Sequence, residues 1–154
     1  MYELICKKGG KKVDFIVAKF LHVTFAAIAM GGIALTLWAL IPTLKEVSPE
    51  SAATISQGVS RRFGVMIWIT ISILFLTGLW MVVLVIAAGV PHALYHSILG
   101  IKIILALLIF LIALGITLPM KFLEKMRQNK RRWMVINIHL IVIVFFLGVW
   151  LGRI

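Results

Sequence analysis

Five side chains able to ligate a metal, move a proton or hold a charge stand inside runs that are otherwise apolar. They are His22, His92, His96, Lys102 and His139, with Asn137 close before the last. Neutral imidazole is a good ligand for iron or copper, and haem suits the apolar interior of a helix bundle. An ionisable group inside such a run is costly and is a functional candidate by default. The carboxylates Glu3, Asp14, Glu46, Glu50 and Glu124 all fall in tails, connections or helix ends, so a carboxylate proton relay through the apolar centre is not expected. The plainer reading of each histidine is an interhelical hydrogen bond, which is individually weak. For Lys102 it is a side chain that snorkels to the surface.

These residues must be positioned by long apolar helices. Of the 154 residues 62% are hydrophobic and only 14% charged, with a mean hydropathy of +1.12, whereas a soluble domain is about half apolar and about a quarter charged. About 20 apolar residues carry a helix across the hydrocarbon core. Four such runs are expected, over about 13–41, 63–88, 91–120 and 133–152. The first run stops at Pro42, is too long for a signal-peptide core and lacks a small-x-small exit. Pro91 suits a first helical position and Pro119 marks an end. Ser48, Pro49 and Glu50 read as the cap of a short surface helix in the first connection. Strand alternation is missing, and only helices or closed barrels satisfy the backbone in lipid. The expected fold is all-α: one integral-membrane domain over 1–154, an up-down four-helix bundle joined by short connections. Gly31, Gly32, Gly78, Gly100, Gly115 and Gly148 allow close helix approach. Trp38, Trp68, Trp80, Trp133 and Trp150 mostly lie near helix ends as interface anchors. The scattered methionines form no Met-x-x-Met ladder and read as packing.

Depth then sorts the candidates. His22 lies about 30 Å along a helix from the Pro42 end, and His96 lies about 37 Å from the basic end of the third run. Both fall in the half nearer the chain termini. The first and third helices of a simple bundle run parallel and diagonal, so His22 and His96 are expected to clamp one haem b iron from opposite sides. Gly100, one turn beyond His96, gives a porphyrin edge room, and Gly32 serves the facing helix. His92 shares the face of His96 nearer the interface, where it caps the helix, meets a propionate or replaces His96 as ligand. His139 lies about 10 Å from the opposite face, so it serves a second haem or simply hydrogen-bonds a helix. Lys102, close in depth to His22, needs an anionic partner such as a haem propionate or a substrate carboxylate. Arg61 and Arg62 offer the same service on the other face.

Charge bounds the partners. Lys and Arg number 16 against 5 Asp and Glu. The basic residues flank apolar runs with few aromatics among them, which favours lipid headgroups over nucleic acid. The third connection, Lys121 to Arg132, is especially basic. The positive-inside rule favours both long connections in the cytoplasm, while the basic N-terminal flank of the first helix pulls the other way. A multi-pass protein of a bacterial or archaeal inner membrane is the expected setting, and a homo-oligomer is compatible with it. Cys6 is the lone cysteine, so neither an internal disulfide nor a Cys-x-x-Cys-His haem attachment exists.

The segments KFLHVTFAAIAMGG, RRFGVMIWITISILFLTGLW and HSILGIKIILALL resemble the membrane domain of the copper-resistance D (CopD) family. They are also similar to the HemJ-type protoporphyrinogen oxidases. In both families a helix 1 histidine is followed about ten residues on by glycine, and helix 3 carries a lysine; here these are His22, Gly31 with Gly32, and Lys102. The chain has Ala29 and Met30 where the second family has a tryptophan, lacks its Pro-Arg pair, and carries NIHLIV where a carboxylate is expected. A periplasmic copper-binding portion is not present. The resemblance implies a small haem-b membrane bundle. The residues and the resemblance together suggest a redox protein, extending to a haem-dependent oxidoreductase. It would use quinol, dioxygen, superoxide or nitric oxide as a membrane-soluble partner. Copper or small-ion transport is the alternative, and protoporphyrinogen oxidation a second.

Overall fold

The computed structural model describes residues 11–89, 93–118 and 123–151. Among these residues all regular structure is helical. Helix α1 (Lys11–Leu35) continues through a π-helical turn (Thr36–Leu40) into a last α turn (Ile41–Thr43). It is followed by α2 (Pro49–Ala88), α3 (Ala93–Thr117), the short α4 (Glu124–Gln128) and α5 (Lys130–Leu151). Four of these are long and apolar enough to cross a bilayer: Val13–Thr43, Pro49–Ala87, Ala93–Thr117 and Lys130–Leu151. Their outward faces carry Phe20, Leu35, Leu76, Ile104, Leu111 and Phe146, all exposed. Such a surface is compatible only with lipid. The chain is an all-α, multi-pass membrane helical bundle.

Two elements differ from the sequence expectation. Helix α2 starts at Pro49 rather than near Phe63, so the expected surface helix and second span are one rod of 40 residues, about 60 Å long. Ser48 caps it as expected: its hydroxyl accepts from the Ser51 N–H at 3.3 Å, and Pro49 occupies the first turn. Nothing between Ser51 and Arg62 breaks a helix, since one Gly costs only about 1 kcal/mol and a long apolar helical stretch follows. The first helix also passes through Pro42 instead of stopping there. The π turn absorbs the misfit: the Ile41 N–H reaches back to the Thr36 carbonyl, and the Thr43 hydroxyl donates to the Ala39 carbonyl at 2.9 Å. A wider turn next to proline relieves the clash with the preceding carbonyls. The end of α2 follows the expected chemistry, with Gly89 at φ 66°, a left-handed position that favours glycine.

Packing around the ring is uneven. The tightest pairs are α1 with α2 and α3 with α5; α5 also meets α1, which leaves α1 and α3 diagonal. The end nearer the termini is closed by Phe15, Leu84, Val85, Tyr95, Ile98 and Leu151, one cluster drawn from all four long helices, with Met81, Leu99 and Leu147 against it. Lipid is as apolar as these side chains, so van der Waals fit rather than the hydrophobic effect holds this plug together.

Candidate functional site

Beyond the plug the helices enclose a cavity of about 800 Å³ that reaches from His22 to the polar ends of the bundle. The volume falls within the span of small-molecule sites. Its walls are mostly apolar, and small residues open it: Ala26, Ala29 and Gly32 from α1, Gly64 from α2, Ala106 and Ala113 from α3. Phe63, Phe110 and Phe145 supply aromatic surface. At the far end Glu124, Arg127, Gln128 and Lys130 line it. The Arg127–Glu124 pair there, at 3.2 Å, is exposed on both sides and contributes little.

His22 is the imidazole of this cavity. The register of α1 against α2 brings its Nδ1 to within 3.0 Å of the Thr77 hydroxyl. That hydroxyl donates its single proton to the Ile73 carbonyl at 2.6 Å, so its oxygen accepts from His22. Nδ1 therefore carries the ring proton, and Nε2 keeps its lone pair. Gly78 makes the approach possible, since a Cβ there would lie 3.3 Å from His22 Cε1. The ammonium of Lys102 in α3 lies 3.2 Å from where a Cβ on Gly148 of α5 would stand.

The other sequence candidates are placed differently. His96 is exposed, set edge-on to buried Tyr95 with ring centroids 5.9 Å apart, and is not part of the cavity wall. His92 lies outside the described residues. His139 is exposed and donates from Nδ1 to the Val135 carbonyl of its own helix at 2.7 Å. Gly32 lines the cavity with the Phe63 ring 3.1 Å from a built Cβ, whereas Gly100 has open space there and lies off the wall. Among the described residues no group of three or more His, Cys, Asp or Glu converges.

Sequence reasoning did not single out Thr77 or Thr70, and it tied neither Asn137 nor Gly78 to the site. Thr77 and Gly78 matter only through cross-helix register, which no local pattern encodes. Asn137 carried a signal, as the single side-chain amide inside a span. It is 3% exposed, lines the cavity, and its Oδ1 has no hydrogen-bond partner among the described residues. Thr70, 4% exposed, lines the same wall. The fold and this cavity together define a small integral-membrane bundle with a cavity between its helices. Compared with known proteins, the chain matches no protein-family model, no curated protein and no solved structure.

Proposed function

We propose that the protein is a membrane redox protein that holds one haem b through His22. The observation that carries this reading is the fixed imidazole. Thr77 accepts the Nδ1–H hydrogen bond and so leaves Nε2 of this cavity-lining residue free to ligate, the arrangement that orients and strengthens a metal-ligating histidine. The donor set favours haem over a bare copper ion. One histidine suffices for a cofactor that brings four nitrogens of its own, while a protein-only copper site needs several converging ligands. Lys102, a cation inside a span with no acidic partner among the described residues, supplies the charge that a propionate requires. A haem bound there would supply one-electron chemistry toward a small or membrane-soluble reactant. His22 ligates, Thr77 sets its tautomer, and the apolar walls exclude water. The resemblance to small haem-b bundles through His22, Gly31, Gly32 and Lys102 points the same way.

The test is the absorption spectrum of detergent-purified protein expressed with adequate haem, air-oxidised and then dithionite-reduced. An intense Soret band that sharpens on reduction and shifts with carbon monoxide is expected. It should vanish in His22→Ala and persist in His96→Ala. A colourless wild-type protein sinks the reading, and a band that survives His22→Ala removes the assigned ligand.

A further inference from the structure

We infer that Asn137, with Thr70 facing the same cavity, is a hydrogen-bonding station for a neutral, membrane-soluble hydroquinone. This inference names the reactant class of the redox reading above but rests on a different part of the cavity. Asn137 lies about 10 Å along α5 from its start at Lys130. Gly148, beside Lys102 and near the level of His22, lies about 16 Å further along the same helix. The station and the histidine are therefore separate positions on one wall.

Four observations converge on the ligand's chemistry. The first is the unpartnered Oδ1 of a side chain that is 3% exposed. A buried acceptor without a donor is costly, and such a group needs an explanation in a folded protein. An acceptor calls for a ligand O–H. The second is charge. The ionisable residues Arg127, Lys130 and Glu124 line the polar end of the cavity, and the nearest of them along α5, Lys130, lies about two helical turns before Asn137, so a neutral hydroxyl compound suits the position better than an anion. The third is the wall. Phe63, Phe110 and Phe145 line it and suit an aromatic ring. The fourth is access. The cavity lies within the span of four membrane helices, where lipid-soluble compounds are the abundant candidates. A hydroquinone with an alkyl tail meets all four conditions.

The experiment measures equilibrium retention of a labelled decyl hydroquinone by the full chain in detergent, under anaerobic conditions. Its bis-methyl ether and a saturated decyl alcohol serve as comparison ligands. The hydroquinone is expected to bind about tenfold more tightly than the ether, and Asn137→Leu is expected to erase that difference. Asn137→Leu should melt no lower than wild type, because it removes an unpaired buried acceptor. A structural amide would instead show a lower melting temperature. Thr70→Val is expected to give a smaller loss of affinity. Equal binding of hydroquinone and ether by the wild-type protein, or equally tight binding of the decyl alcohol, overturns the inference without any variant. The same titration on His22→Ala keeps the two readings apart: retained hydroquinone binding with a lost Soret band supports both, and absent binding in a haem-bearing wild type overturns this inference alone.

Discussion

The two ends of the bundle are built from similarly apolar residues and do opposite things. At the end nearer the termini, Phe15, Leu84, Val85, Tyr95, Ile98 and Leu151 interlock into a plug. Toward the connections, Ala26, Ala29, Gly32, Gly64, Ala106 and Ala113 leave a space of about 800 Å³. Both sets are uncharged and tolerable in lipid; side-chain volume is what closes one end and opens the other. In a bilayer, where burying apolar surface against protein or lipid is nearly equivalent, volume complementarity decides where helices close and where they stay apart.

That contrast can be broken by mutation. The largest effect is expected in the plug. Leu84→Ala or Tyr95→Ala should cost about 2–4 kcal/mol, measured by unfolding in detergent; a loss under about 1 kcal/mol would show that the plug is not the stabilising end. Next comes Thr77, which lies along α2 between the cavity wall and the plug. Thr77→Val should lower haem affinity by roughly 10–100-fold, read as the rate of haem transfer to an apoprotein acceptor. Thr77→Ser, which keeps the hydroxyl, should restore it, and an unchanged rate in the valine variant would remove Thr77 as the partner that sets His22. In the cavity, Ala113→Leu should change stability by less than about 1 kcal/mol, because the added carbons enter space rather than a packed core. A loss as large as that of Leu84→Ala would mean the cavity is closed in solution. The smallest effect belongs to Gly148→Ala. The built Cβ meets only the flexible end of Lys102 at 3.2 Å, and a shift within about 0.5 kcal/mol is expected by the same unfolding measurement.

The spans were legible because run length alone separates a membrane helix from a soluble one. The extension of α2 to Pro49 was not, since Ser51, Ser56, Gln57, Gly58 and Ser60 are as suited to a connection as to a solvated helix. The π turn depends on how the chain accommodates Pro42, and the one-dimensional pattern favoured a stop. At the site, His22 stood out as a polar residue in an apolar run. Matched depth, however, said nothing about which way His96 turns, and the structure leaves it exposed. His139 and Asn137 show the same limit from the other side. Two residues apart on a helix point to nearly opposite faces, so the conspicuous imidazole faces out and the inconspicuous amide faces the cavity.

The unbroken length of α2 has a mechanical consequence. A rod of 40 residues, about 60 Å long, exceeds the roughly 40–45 Å of a whole bilayer with its headgroups. Its segment before Phe63, bearing Arg61 and Arg62, gives Ser56, Val59 and Ser60 to the cavity wall and runs without a break into the rest of it. A tilt of about 5° pivoting on the plug moves the outer tip by about 5 Å. It moves Phe63, Ile67 and Thr70 by proportionately less in the same direction. The helix is a lever whose fulcrum is Leu84 and Val85, and displacement of its protruding arm is transmitted to the cavity wall.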